Sequence, residues 1–170
     1  PKNMSIERIK LLRSFGAKVE LLDNFPQCFE NANEYEKQGA YLCKQFENKS
    51  NIKAQTKTAK EIAKKLDNIP TFVSGVGTGG TLIGIGKYLK KKYNTKIIAI
   101  DPKEAKLLKY GKSQGKHKIQ GLSDEIIPKL YDKTVVDEII EIASDDAICM
   151  ARKLCKELGL NVGISSGANF

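Results

Sequence analysis

The stretch Thr71–Leu82, TFVSGVGTGGTL, runs an apolar segment into four glycines with Thr78 and Thr81 among them. Gly77, Thr78, Gly79, Gly80 and Thr81 join a predicted buried strand to a predicted helix N-terminus. Glycines let a backbone approach an anion without a Cβ in the way. A helix start offers unpaired N–H groups and a partial positive charge. Two hydroxyls add donors, so the stretch suits a doubly charged phosphate with no lysine in the loop. Spacing alone leaves two ligands open. Gly75, Gly77 and Gly80 satisfy G-x-G-x-x-G, and Asp101 ends the next strand ~20 residues on, where a ribose-binding acid belongs. Pyridoxal phosphate fits as well, since its single phosphate needs one such cradle. It also needs a group facing its pyridine nitrogen, and GISSG at Gly163–Gly167 offers Ser165 and Ser166. The bland readings are a tight strand-to-helix turn for the glycines and a helix cap for the serines.

These residues need elements to hold them. Ser5 is placed to cap a helix with Glu7 in its first turn, and Ile6, Ile9, Leu11, Leu12 and Phe15 follow at helical spacing. Gly16 ends it. Lys18–Leu22 reads as a strand, Gln27–Lys37 as a helix stopped by Gly39, and Ala40–Phe46 as a short strand running into a loop. Gln55–Leu66 is a third helix, Thr71–Val76 a buried strand, Thr81–Lys92 a helix and Lys96–Asp101 a strand. Pro102–Gly121 carries three glycines and reads as a long functional or surface loop. Val135–Ala143 reads as a strand, Ser144–Leu158 as a helix capped by Ser144, and Asn161–Gly167 as a last strand with a turn. Alternating helices and apolar strands predict an α/β fold of three layers, a mostly parallel sheet with helices on both faces. A strand and turn at Gly167 should feed a helix, and the absence of one, with Pro1 as first residue, makes both ends read as cut.

The composition excludes several classes. With 170 residues, 41% hydrophobic and 29% charged, the chain can bury a core. No apolar run is long enough to span a membrane. The net charge is +9, but the lysines are scattered, and the densest run, Lys87–Lys96, falls at a predicted helix end where cations suit the dipole. No aromatic-interleaved basic motif points to nucleic acid. Cys28, Cys43, Cys149 and Cys155 form no C-x-x-C pair, the usage of a reducing compartment such as the cytoplasm. His117 is the one histidine, so no zinc site is expected.

Five segments in order carry a resemblance. MSIERIKLLRSFGAKVELL from Met4, KQFEN from Lys44, SGVGTGGTLIGIGKYLK from Ser74, HKIQGLSDEIIP from His117 and VGISSGAN from Val162 together resemble the cysteine synthases, the O-acetylserine sulfhydrylases among the fold-type-II pyridoxal-phosphate enzymes. A nicotinamide dehydrogenase has no reason to carry the other four. The resemblance implies a tryptophan synthase β-like fold, with residues 1–50 from the smaller substrate domain and 51–170 from the larger cofactor domain. It implies that Gly77, Thr78, Gly79, Gly80 and Thr81 bind the cofactor phosphate and that Ser165 bonds the pyridine nitrogen. Gln45 would help hold the substrate α-carboxylate with Phe46 beside it, and Gly121 would flank the cleft. No acid–base role is implied for His117. The implied reaction is β-replacement, in which O-acetylserine loses acetate and sulfide adds to give cysteine. A homodimer, and a serine acetyltransferase whose C-terminal tail enters the cleft, are the implied partners.

The same resemblance implies groups that this chain does not carry. The lysine that links to the cofactor stands in an S-x-K-D-R-like context, and the substrate carboxylate is gripped by a T-S-G-N-T-G-like loop. Neither occurs here, so the chain reads as an internal segment, inactive alone, with its catalytic lysine outside it. Lys57–Ile62 lacks the glycine and proline usual in T-T-G-P-E-I. Ser123, Asp124 and Glu125 stand where the family is richer in glycine. Because that loop borders the substrate, a cystathionine β-synthase-type reaction stays open. A non-catalytic interaction module and a nicotinamide oxidoreductase are the remaining alternatives.

Overall fold

The computed structural model describes residues 1–123 and 126–170. They form two compact units, Pro1–Cys43 and Lys44–Phe170.

In the first unit, α1 spans Ile6–Ser14 and α2 spans Phe25–Lys37. Ser5 is the residue before α1, but its hydroxyl accepts from Arg8 Nη1 (2.9 Å) and caps no backbone N–H. Helix α2 begins two residues before the expected Gln27. Asn24 Oδ1 accepts from Gln27 N (3.0 Å), and Gln27 Oε1 accepts from Asp23 N (3.0 Å). This reciprocal pair satisfies two backbone donors, and Pro26 is harmless in a first turn where its missing N–H would have no partner. Lys18–Leu22 is not a strand: among the described residues no strand lies beside it. The segment is tied to α2 through side chains instead, with Tyr35 Oη (2.6 Å) and Asn31 Nδ2 (2.9 Å) donating to the Glu20 carboxylate. Ala40–Phe46 is not a strand either.

Among the described residues, the second unit is built on three parallel strands in the order β1–β2–β3: β1 Thr71–Gly75, β2 Lys96–Pro102 and β3 Glu138–Ile142. Thr71 pairs with Lys96, and Ile98 with Glu138. Around them lie α3 Lys49–Ile62, α4 Gly80–Tyr93, α5 Leu107–Tyr110, α6 Ser144–Leu158 and α7 Ile164–Asn169. The alternation of β2 divides the core. Ile97 and Ala99 face Val76, Leu82, Ile83 and Val135, with Ile52 of α3 against them. Ile98 and Ile100 face the other way, onto Ile119, Leu122, Ala147 of α6 and Ala168 of α7. Helices therefore cover both faces of a parallel sheet, as the apolar strand runs predict.

Several boundaries differ from expectation for local reasons. Helix α3 starts at Lys49, because Asn48 Oδ1 accepts from Ser50 N (2.9 Å). Strand β3 is shorter than Val135–Ala143. Asp137 stops the ladder by turning its carboxylate inward: Oδ2 accepts from Ile97 N (2.8 Å) and Oδ1 pairs with Lys90 (2.5 Å). Four residues of the long loop form α5, between left-handed Lys106 (φ +49°) and Gly111 (φ +78°). Ser144 is the first helical residue of α6 rather than its cap; its Oγ accepts from Lys118 N (2.9 Å). The expected last strand is α7, which begins inside GISSG, so a helix does follow the turn at Gly163.

Two measurements test this packing. Leu82 is fully buried, so Leu82→Ala should cost about 3 kcal/mol through lost burial and a residual cavity, read from urea unfolding. Asp132 has its carboxyl held down to about 2, first by Lys87 (2.8 Å) and then by the Thr134 hydroxyl (2.6 Å). A folded value below the ordinary ~3.9 stabilises above that pH and loses the effect as pH falls through the folded value. Asp132→Asn should therefore lower the unfolding midpoint at pH 7, with the gap to the parent protein narrowing as pH approaches 2.

Candidate cofactor site

Strand β1 ends at Gly75, and after buried Val76 the chain turns through Gly77, Thr78 and Gly79 into α4. Gly79 is the left-handed residue before the helix (φ +84°), a conformation that a side chain makes costly. Gly77 is required for another reason: a Cβ there would run into the carbonyl oxygen of Gly121. The first intrahelical bond is Ile83 N to Gly79 O (3.0 Å), so Thr81 N and Leu82 N lie in the first turn, where no helical carbonyl can receive them. Thr78 Oγ1 accepts from Asn51 Nδ2 (3.0 Å) and from Gly80 N (3.3 Å), which leaves its own hydrogen to donate. Thr81 is exposed beside it.

Three other segments converge on this turn. Asn51, in the first turn of α3, donates through Nδ2 both to Thr78 Oγ1 and to Gln45 O (3.1 Å), and so ties Gln45 to the glycine loop. The Gln45 side chain is exposed. Phe46 is half-buried, and its carbonyl accepts from Leu130 N (3.1 Å). The segment ending at Ser123 lies across the turn: Gly121 O faces Gly77, and Ser123 N donates to Val76 O (2.8 Å). Finally, α7 docks at the end of β1, where Asn169 Oδ1 accepts from Gly75 N (2.8 Å). Ser165 is the half-buried second residue of that helix, with Ser166 following it.

Asp101 cannot serve a ribose. It is fully buried, with Oδ1 accepting from Ser123 Oγ (2.8 Å) and Oδ2 from Leu108 N (2.9 Å). Both oxygens are committed within the protein, which removes the acid that a nicotinamide dinucleotide would need. Burial, and then the charge of Asp101, pushes the Tyr131 phenol up. His117 accepts from Ile119 N through Nδ1 (3.2 Å) and serves its own loop. Asp124 and Glu125 lie outside the described residues. Two residues that matter here were not singled out from sequence as site residues, Asn51 as the link to Gln45 and Ser123 as the partner of Asp101. The first sits 27 residues from Thr78 in the chain, and no spacing rule connects them. The second had a signal, a serine where glycine is usual.

A phosphate monoester fits this arrangement. The turn has no Cβ at Gly77 or Gly79, first-turn N–H groups without helical partners, one hydroxyl free to donate, and its one conspicuous acid turned away into the core. Against this geometry stand the known proteins. Residues 1–170 match the pyridoxal-phosphate dependent enzymes. Cysteine synthase B of Campylobacter jejuni is 43% identical over 177 residues, which cover 99% of this chain and 58% of that protein. A cysteine synthase of Staphylococcus aureus is 39% identical, over 99% of this chain and 56% of its own. Among solved structures, a hydrogen sulfide-producing enzyme of Fusobacterium nucleatum has a TM-score of 0.94 at 43% identity, covering all of this chain and 54% of that one. A cysteine synthase of Entamoeba histolytica has a TM-score of 0.90 at 39% identity, over 99% of this chain and 52% of its own. This chain therefore belongs to the pyridoxal-phosphate dependent enzymes. Within them it is similar to cysteine synthases, and it spans little more than half the length of those relatives.

Gly77→Ala checks the close approach on which the site rests. A methyl group there must displace the Gly121 carbonyl, and overpacking of this kind costs about 1–3 kcal/mol. A urea midpoint equal to that of the parent protein would mean that the two loops do not meet as described.

Proposed function

We propose that this chain supplies the phosphate-binding part of a pyridoxal-phosphate-dependent enzyme that makes L-cysteine from O-acetylserine and sulfide. The observation that carries this reading is the glycine turn at the N-terminus of α4, closed over by Gly121 and joined to Gln45 through Asn51. The Gly77–Thr81 turn holds the cofactor phosphate through backbone N–H groups and the Thr78 hydroxyl. Ser165 bonds the pyridine nitrogen, where a neutral hydroxyl withdraws less charge than a carboxylate partner would impose. Gln45 orients the substrate carboxylate with Phe46 against it, and Gly121 borders the cleft. When bound, the cofactor supplies the electron sink for loss of acetate and addition of sulfide, and the protein supplies orientation and electrostatics. The lysine that links to the cofactor, and serves as base and acid at the α-carbon, belongs to the remainder of the protein. The segment alone has no turnover. Residues 1–50 belong to the smaller substrate domain and 51–170 to the larger cofactor domain. The whole protein is a cytoplasmic homodimer, and a serine acetyltransferase tail is its protein partner.

One observation favours a second reading, that the protein releases sulfide from cysteine. The Fusobacterium nucleatum neighbour, 43% identical to this chain, is a hydrogen sulfide-producing enzyme. In that reaction sulfide is the leaving group and water takes its place as the incoming nucleophile.

The full coding region, expressed and purified, decides between them. Visible absorbance of bound pyridoxal phosphate, together with cysteine formation from O-acetylserine and sulfide, is the expected result. Sulfide release from cysteine exceeding cysteine formation would move the second reading to first place. No visible band and no protection from unfolding by pyridoxal phosphate would end both.

A further inference from the structure

Ser123 stands out on three counts. Its backbone is left-handed (φ +50°), the region that glycine adopts freely and a serine adopts at a cost. It is almost wholly buried, 3% exposed, so its hydroxyl must find a partner inside the protein. That partner is Asp101, also fully buried, at 2.8 Å. A hydrogen bond to a buried carboxylate is stronger than one between neutral groups, which offsets the backbone cost. Meanwhile Ser123 N donates to Val76 O, and two residues earlier Gly121 O rests on Gly77. The same three-residue segment thus contacts the strand end, the glycine turn and, through its side chain, the C-terminal end of β2.

We infer that Ser123 is a positioning residue for the phosphate cradle, a clasp whose hydroxyl on Asp101 sets how closely the Gly121 loop sits against the Gly77 turn. This rests on the proposed pyridoxal-phosphate site. The Asp101 carboxylate is held from its other side by Leu108 N (2.9 Å), so the clasp has a fixed anchor. Where glycine fills this position, the left-handed backbone is free of strain but the loop has no side chain to hold it down. With serine, the loop is pinned at one side-chain point and two backbone points. The phosphate end of the ligand feels this directly, because the N–H groups that would receive it lie on the turn that Gly121 O touches. The pyridine end, assigned to Ser165 on α7, meets this loop indirectly, through the shared packing of Leu122 and Ala168.

The test compares two ligands and two variants in the full-length protein. Affinities for pyridoxal phosphate and for pyridoxal, which lacks the phosphate, are titrated by absorbance in Ser123→Ala, Ser123→Gly and the parent protein. The expected result is a fivefold or greater loss of pyridoxal phosphate affinity in Ser123→Ala, a smaller loss in Ser123→Gly, and pyridoxal affinity unchanged in both. The order follows because alanine keeps the backbone strain and loses the hydroxyl, whereas glycine loses both. Equal losses for the two ligands would mean a general structural role and overturn the inference, as would unchanged affinity for pyridoxal phosphate in both variants. Should Ser123→Ala fail to fold, Ser123→Gly decides: parental affinity for pyridoxal phosphate overturns the clasp, and a phosphate-selective loss supports it. A parent protein that binds neither ligand would instead strike at the proposed function, a separate and recognisable failure.

Discussion

At Gly77 two backbones meet with no side chain between them, and the placement of the neighbouring segments follows from that contact. The Gly121 carbonyl occupies the space a Cβ would fill. Close approach of this kind demands that both segments be held from behind. Gly77 is held by the end of β1, which is registered against β2 by parallel pairing from Thr71 to Gly75. Its neighbour Gly75 is fastened to α7 by Asn169. The Gly121 segment is held by Ile119 and Leu122 in the core beneath it. Both α7 and the Gly121 segment pack on one face of the sheet, while Asn51 of α3, whose neighbour Ile52 lies on the other face, reaches the turn at Thr78.

The electrostatics of the second unit follow a division of labour. Its lysines are largely on the surface, and the ion pairs they make, Lys87 with Asp132, Lys96 with Glu138 and Lys118 with Asp145, involve side chains that are substantially exposed. Such pairs contribute little to stability, because water and salt screen them. The glycine turn carries no lysine, so an anion there would rely on backbone N–H groups and the dipole of α4. A net charge of +9 therefore says little about the site.

Much of the second unit was legible because its strands are apolar runs and its helices are periodic. Thr71–Gly75 and Lys96–Pro102 fall almost where alternation and apolar content place them. What was not legible depended on partners distant in sequence. Lys18–Leu22 has the composition of a strand, but a strand is defined by a neighbour, and composition does not say whether one is there. Val135–Asp137 looked like the start of β3 until Asp137 reached back to Ile97 N. GISSG read as a strand because isoleucine and valine precede a turn, whereas Gly163 opens a helix whose small residues let it lie against α6 at Gly167. At the site, the glycine turn announced itself through residue type. Asp101 illustrates the opposite: its position matched a dinucleotide fingerprint, and only its burial against Ser123 and Leu108 removed that role.

The order of the strands carries a consequence for how the chain assembles. Each strand pairs with the one immediately before it in sequence, β1 with β2 and β2 with β3, and α4 lies between the first two. Pairings closed over the shortest available crossover carry the least loop entropy for a parallel sheet. During synthesis the N-terminal elements emerge first, so β1, α4 and β2 can pair before β3 has left the ribosome. The glycine turn lies inside this first-paired part of the sheet, while the Gly121 loop and α7, which close over it, arrive afterwards.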